Sequence, residues 1–214
     1  MKSKSKILDF DLDDIVDCLC DNVKDDIKQF EDLINLDGAV CREIYIGDIT
    51  TGTGSIVEGY IRFWNRWDNE NEIPVKERKP IKIFIDSNGG CLTDTLTIID
   101  AIEMSKTPIW TICTGTAYSG GFFTFIAGHR RFAYPHSSFL YHEGYTSNGG
   151  DANKFRNYVD FYQRQLKQLE KITLKHTKIT PEQYKDHIKD DWWLDADEAL
   201  ELGICDEISE ELLV

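Results

Sequence analysis

Short apolar runs alternate with helix-like stretches from residue 43 to the end of the chain, and this alternation constrains the fold more than any other feature. The predicted strands are EIYIGDI (43–49), IKIFID (81–86), IWTICTG (109–115) and SSFLYH (137–142). Strands that take turns with helices usually pair in parallel through right-handed crossovers. We therefore predict an α/β domain with a largely parallel sheet.

The stretches between and after these strands have helical periodicity. Proline and acidic residues bound a polar loop at 69–80. The predicted helices lie at 55–67, 91–105, 120–128, 152–177, 181–190 and 196–203, and the one at 152–177 is the longest of this set.

The first forty residues differ from the rest of the chain. They contain eleven acidic residues against five lysines, and residues 7–36 have apolar side chains at three- and four-residue steps. This pattern predicts an amphipathic helix that ends at LDG (36–38). We divide the chain into an acidic helical N-terminal extension, 1–41, and a domain at 42–214. The extension is interpreted as a helix packed on its own domain or on a sister subunit, with a partner-binding arm as the alternative.

Composition excludes several classes of protein. The 214-residue chain has a formal net charge of −14, which disfavours nucleic acids and anionic membranes as partners. No apolar stretch is long enough for a membrane helix, and the N-terminus lacks the apolar region of a secretory signal. The six cysteines form no C-x-x-C pair, so we expect reduced thiols in a cytoplasmic setting, with no disulfide framework and no metal site.

Two glycine turns each end a predicted strand and begin a predicted helix: Gly89-Gly90 and Gly115–Gly121. Consecutive turns of this kind lie at the carboxyl edge of a parallel sheet, where ligands bind. The second turn presents Ser119 as a candidate nucleophile. The N–H groups of Gly90 and Gly120 could then stabilise the oxyanion that forms when the serine attacks a carbonyl group.

A nucleophilic serine requires a base. His142 ends an apolar strand and should emerge at the same sheet edge, whereas we expect His129 and His136 to be solvated and His176 to cap a helix. A structural role for His142 is the alternative. For the acid, the sequence does not distinguish Asp190 from Asp191; one of the two could be buried beside the imidazole.

These residues lie in a familiar succession of motifs: FIDSNGG, TICTGTAYSGGFFTFIAG, RRFAYPHSSFLYHEG, LKHTKIT and DDWWLDADEALELGICDEI. From about Arg42 to Ile208, the chain resembles the proteolytic subunit of the Clp protease, a ClpP-type serine peptidase. The match includes Gly115, Ala117, Ser119 and Gly121 of a G-x-A-x-S-x-G core. Asp191 lies 49 residues after His142, the usual family interval. The chain is compatible with the divergent members found in phages and mobile elements.

The resemblance implies a serine endopeptidase with a Ser119–His142–Asp191 triad and an oxyanion hole at Gly90 and Gly120. It also implies a crotonase/ClpP-like spiral of ββα units with a long handle helix at 152–177. Relatives assemble as stacked heptameric rings around a closed chamber, with contacts between rings at the handle helix and at 147–152. An AAA+ unfoldase, such as a Clp ATPase, feeds polypeptides into such chambers, and the subunit itself requires no cofactor.

Some features depart from the family pattern. The acidic extension differs from the family's short apolar gate loops, and Glu143-Gly144 follows the histidine where a glutamine–proline pair is common. Lys82 occupies a strand position that is often aromatic in the unfoldase-docking pocket. Three other interpretations therefore stay open: a catalytically idle scaffold or regulatory subunit, a crotonase-type acyl-CoA enzyme and, less favoured because no membrane anchor is predicted, a serine–lysine signal peptide peptidase.

Overall fold

The computed structural model describes residues 41–144, 150–187 and 189–213. The predicted helix at 7–36 lies outside these residues, as do residues 147–149 of the expected ring contact. The described part is a mixed α/β domain. None of its helices is long and apolar enough to cross a membrane.

Strands and helices alternate, as predicted. The strands are β1 (Glu43–Ile46), β2 (Ile81–Ser87), β3 (Ile109–Tyr118), β4 (Arg130–Ala133), β5 (Ser138–Tyr141), β6 (Trp192–Asp195) and β7 (Glu207–Ile208). The helices are α1 (Thr53–Glu70), α2 (Leu92–Met104), α3 (Gly120–Ile126), α4 (Ala152–His176), α5 (Pro181–His187) and α6 (Ala196–Glu201). A 3-10 turn at Val75–Glu77 lies within the predicted 69–80 loop.

The sheet is largely parallel, which confirms the predicted fold class. Strands β1, β2, β3, β4 and β7 follow one another in parallel across the sheet. Strand β5 also pairs in parallel with β3, and β6 pairs with β5 in the antiparallel direction. Strand β6 thus forms the edge on the side of β5.

Strand β3 has two different neighbours along its ten residues. Its first half pairs with β4, whereas its last three residues, Thr116–Tyr118, pair with β5. The register between β2 and β3 shifts at Ile85 and Ser87. At this bulge the Asp86 carboxylate accepts hydrogen bonds from the Thr116 backbone N–H at 2.9 Å and from its hydroxyl at 3.0 Å. The bulge therefore directs the end of β3 towards β5.

The main core lies between the sheet and helices α1, α2 and α3. Ile83 and Ile85 of β2 are fully buried in it, and so are all seven residues of α3. Phe84 points to the other face of the sheet and forms a smaller cluster with Ile112 and Phe132. Because α3 is enclosed on all sides, the turn that precedes it has a fixed support.

A buried ion pair anchors the start of the described domain. The guanidinium of Arg42 donates to both oxygens of Asp68, at 2.6 and 3.0 Å, and lies 4.2 Å from the centroid of the Trp64 ring. The hydroxyl of Thr107 donates to the same carboxylate at 2.6 Å. The Asp68 side chain is 0% exposed, so its charge is balanced by Arg42 and this hydroxyl rather than by water.

Candidate active site

Ser119 forms the turn between β3 and α3. It is the N-cap residue of α3 and has φ 52° and ψ −119°, a backbone conformation that is strained for a residue with a side chain. Its backbone N–H donates to the carbonyl of Leu140 in β5 at 2.9 Å. This bond holds the strained turn against β5 and puts Ser119 at the carboxyl edge of the sheet.

The glycines around Ser119 leave no room for side chains. A Cβ atom on Gly89, which has φ +100°, would lie 2.7 Å from the Cβ of Ser119 and 2.8 Å from the N atom of Gly120. A Cβ atom on Gly120 would lie 2.6 Å from the hydroxyl of Thr95 and 3.4 Å from the N atom of Gly90. The two glycine turns are thus in contact, and their closeness depends on the missing side chains.

Among the residues that the structure describes, the backbone N–H groups of Gly90 and Gly120 are not used by the surrounding secondary structure. Gly90 forms a parallel bridge with Ile49, but the two bonds of this bridge run from Ile49 N to Gly89 O and from Cys91 N to Ile49 O, both at 2.7 Å. Gly120 is the first residue of α3, where a backbone N–H has no acceptor within the helix. Two donors therefore lie beside Ser119.

His142 and Asp191 face each other across two antiparallel strands. His142 directly follows β5, Asp191 directly precedes β6, and the register pairs Tyr141 with Trp192. The next pair in this register is His142 with Asp191, and His142 Nδ1 lies 4.0 Å from Asp191 Oδ1. Asp190 instead donates its backbone N–H to the carbonyl of His187 at 3.2 Å. The structure thus brings Asp191 to the imidazole.

The arrangement is looser than a closed triad. The Asp191 side chain is 59% exposed, so the expected burial of the acid is wrong; the reason is that Asp191 lies at the beginning of an edge strand. Within residues 41–144, 150–187 and 189–213, no hydrogen bond joins Ser119 Oγ to the imidazole of His142. Both residues nevertheless lie at the same edge, because Tyr118 pairs with Leu140 just before each strand ends.

A cavity of about 200 Å³ opens beside the imidazole. It is lined by His142, Glu143, Gly144, Lys189, Asp190 and Asp191. Three carboxylates against one ammonium group give this cavity an excess of negative charge.

Two tyrosines contact the residues on either side of His142. Tyr141 is buried; its hydroxyl bonds with that of Tyr184, and its ring packs edge-on against Phe123 at a centroid distance of 5.6 Å. Tyr162 of α4 donates from its hydroxyl to the carbonyl of Glu143 at 3.1 Å. The sequence does not reveal this contact, because Tyr162 fits the apolar periodicity of the helix at 152–177, a pattern that is typical of packing.

Two of the other histidines, His129 and His176, have structural partners. His129 Nδ1 accepts the backbone N–H of Ile109 at 3.1 Å, and burial lowers the pKa of His129. The residue as a whole is nevertheless exposed, as expected, and so is His136. His176 Nε2 bonds with Glu103 at 2.6 Å and forms an ion-pair contact instead of the expected helix cap.

Metal-ligating side chains do not converge in the part of the chain that the structure describes: it contains no group of three or more His, Cys, Asp or Glu residues that could hold a metal ion.

A family comparison covers the region of this site. The model of the family described as Clp protease matches residues 74–212, which is well over half of the 214-residue chain. The matched region includes Ser119, His142 and Asp191, and also both glycine turns.

Proposed function

The chain belongs to the Clp protease family, and we propose that it is a serine endopeptidase in which Ser119, His142 and Asp191 form the catalytic triad. The observation that carries this proposal is the pairing of His142 with Asp191 at the sheet edge where Ser119 ends β3. The family match supports the peptidase activity, and the assignment of the triad to these three residues is our proposal.

The first half of the reaction forms an acyl-enzyme. Ser119 Oγ attacks the carbonyl carbon of a peptide bond while His142 accepts the hydroxyl proton. The negative charge on the carbonyl oxygen is stabilised by the N–H groups of Gly90 and Gly120. His142 then donates its proton to the leaving amine as the carbon–nitrogen bond breaks, and an ester joins the acyl group to Ser119.

The second half releases the acyl group. A water molecule gives a proton to His142 and attacks the ester, and the proton then returns to Ser119 Oγ as the product acid leaves. Asp191 orients the imidazole and stabilises its positive charge in both halves. The 4.0 Å separation of the two side chains must shorten for this role, as catalytic contacts often do when substrate binds.

We propose that the subunits enclose a chamber of stacked heptameric rings in which unfolded polypeptides are cleaved. Phe155 and Phe161 on α4 are 47% and 48% exposed in the single chain. Exposed aromatic side chains on one helix suit burial between subunits. Fourteen copies of the 24.7 kDa chain would have a mass of about 350 kDa, which analytical ultracentrifugation can measure.

A Clp-type ATPase is the proposed partner that delivers substrates. The second cluster, formed by Phe84, Ile112 and Phe132 with Trp110 packed against it, lies on the face of the sheet away from the main core. Tyr45 stacks on Phe84 at a centroid distance of 5.0 Å and is 44% exposed, and this aromatic surface over the cluster supports a docking role. Lys82, which departs from the family's aromatic residue, forms an ion pair with Glu43 at 3.3 Å. ATP-dependent degradation of a folded substrate, measured with candidate ATPases, tests this partner.

A fluorophosphonate probe tests the proposed activity directly. We expect the assembled protein to be labelled on Ser119, as identified by peptide mass spectrometry. Ser119→Ala and His142→Ala should abolish labelling, whereas Ser105→Ala, at the opposite end of the strands, should preserve it. An assembled wild-type protein that neither reacts with the probe nor cleaves peptides would refute the endopeptidase proposal.

A catalytically idle subunit is the second candidate. The exposed Asp191 and the lack of a hydrogen bond between Ser119 and His142 within the described residues favour it. An idle subunit would assemble but would not react with the probe, so the same experiment separates the two functions.

A further inference from the structure

The long helix α4 contacts the backbone that follows the proposed base. The hydroxyl of Tyr162 donates to the carbonyl oxygen of Glu143 at 3.1 Å. A Cβ atom on Gly144 would lie 3.4 Å from the same hydroxyl. One phenol group is therefore packed against both residues after His142.

The two sides of His142 are held differently. On the preceding side, Tyr141 is fixed by Tyr184 and by the aromatic rings of α3. On the following side, the bond from Tyr162 is the sole hydrogen bond to Glu143 or Gly144 that involves the described residues. Within the described residues, the backbone after the imidazole is thus held by this hydrogen bond.

We propose that Tyr162 is a positioning residue, which sets the direction of the His142 imidazole through the carbonyl of Glu143. The inference rests on the proposed function, because it gives the imidazole a catalytic direction to maintain. An error of about 1 Å in the position of a catalytic group can cost two orders of magnitude in rate. A hydrogen bond at the neighbouring peptide group limits such errors.

The chemistry of the phenol suits a permanent donor. Burial raises the pKa of Tyr162, and the nearby Tyr158 and Glu143 add to this effect. The hydroxyl therefore keeps its proton over the neutral range and can donate to the Glu143 carbonyl throughout.

Tyr162→Phe removes the donor and keeps the ring. In cleavage of a fluorogenic peptide without an ATPase, we expect kcat to fall about fivefold with KM unchanged, as the loss of one ordinary hydrogen bond allows. The final amount of fluorophosphonate label per subunit should equal that of wild type. The control Tyr45→Phe removes a hydroxyl that bonds with Glu43 at 3.1 Å near the start of β1 and should leave kcat unchanged. An unchanged kcat for Tyr162→Phe, or a change in KM alone, would overturn the proposal.

A second measurement does not depend on peptidase activity. Diethyl pyrocarbonate modifies neutral imidazoles, and peptide mass spectrometry gives the rate at His142. We expect this rate to rise about twofold or more in Tyr162→Phe and to stay constant in Tyr45→Phe. The His142 side chain is 29% exposed in the wild type, and it becomes more accessible when the imidazole is less constrained. An equal rate in wild type and Tyr162→Phe would disprove the positioning role. A faster rate in a protein whose wild type lacks fluorophosphonate reactivity would support the contact while rejecting the proposed activity.

Discussion

Ser119 occupies a backbone conformation that its neighbours enforce. Its φ of 52° is unfavourable for a residue with a Cβ atom, and the bond to Leu140 together with the enclosed helix α3 maintains it. Gly89 and Gly120 come so close that any added side-chain atom collides with the turn. The proposed reactivity of the Ser119 hydroxyl thus depends on the absence of side chains at Gly89 and Gly120.

Gly120→Ala should disable the site without unfolding the protein. The new Cβ atom would lie 2.6 Å from the hydroxyl of Thr95 and 3.4 Å from the N atom of Gly90. This crowding displaces the oxyanion donors, so we expect kcat/KM to fall roughly 100-fold. Gly59→Ala is the matched control, because Gly59 also lies in a helix but has open space around its Cβ position. Equal activity of the two variants would contradict the assigned oxyanion hole.

Asp191→Asn and Asp190→Asn separate the two adjacent acids. Asp191 lies opposite the imidazole, so its amide variant should lower kcat by about 100-fold or more, while Asp190→Asn should stay within about threefold of wild type. Steady-state cleavage of a peptide measures both values. Equal losses, or a larger loss for Asp190→Asn, would show that the register of β5 and β6 does not select the acid.

At the scale of elements, the long periodic segments are predicted well, whereas of the four-residue strands β1 and β5 are predicted and β4 and β6 are not. The predicted helix at 152–177 closely matches α4. Strands β4 and β6, with four residues each, have too little periodicity to be identified from the sequence. Strand β3 extends three residues beyond the predicted end at 115, because Thr116–Tyr118 pair with β5, a contact between distant segments.

The same limit applies to the site. Ser119 and His142 stand out in the sequence because a serine between glycines and a histidine at a strand end are unusual. The choice between Asp190 and Asp191 requires the register of β5 and β6, which composition does not contain. Tyr162 is missed for another reason. A tyrosine at an apolar position of a helix is typical of core packing, and the sequence does not show that its hydroxyl bonds with Glu143.

Glu103 links α2 to the end of α4 and gives this contact a pH dependence. Burial raises the pKa of Glu103, but hydrogen bonds from Lys175 and His176 outweigh this effect and hold the pKa below its ordinary value of 4.5. A lowered pKa in the folded state means stabilisation that is present above pH 4.5 and lost as the pH falls through the folded-state value.

Glu103→Gln should therefore lower the free energy of unfolding at pH 7, by less than about 1 kcal/mol because the cluster is partly solvated. The difference from wild type should vanish at acidic pH. Urea unfolding of wild type and variant between pH 3 and 7 measures it, with the exposed Glu201→Gln on α6 as control. A difference that persists unchanged at pH 3 would exclude an ionic origin.

At the scale of the whole molecule, the pair of Arg42 and Asp68 connects the start of the domain to α1 and to the loop before β3. Asp68 is fully buried and also accepts the hydroxyl of Thr107. A buried ion pair of this kind adds little to the free energy of unfolding when it is compared with apolar residues in the same place. The loss of one partner, however, leaves the other charge buried and uncompensated. The domain should consequently tolerate changes here poorly.

Asp68→Asn is expected to lower the free energy of unfolding by about 3 kcal/mol or more, because Arg42 stays buried without its counter-charge. Denaturant unfolding provides the measurement. Glu58→Gln breaks the surface pair with Arg62 on the same helix, and its effect should be below about 1 kcal/mol. Similar losses in both variants would mean that burial does not distinguish the two pairs.

The double pairing of β3 has a mechanical consequence. Beyond the bulge at Asp86, Ala117 pairs with Ser87 of β2 on one side and with Phe139 of β5 on the other, so the segment that leads to Ser119 is joined to both neighbouring strands. Gly90 lies in a parallel bridge with Ile49 that is held by the bonds of its neighbours Gly89 and Cys91. A shift of β5 relative to β2 would have to break one of these pairings, so the nucleophile keeps its place between the two strands.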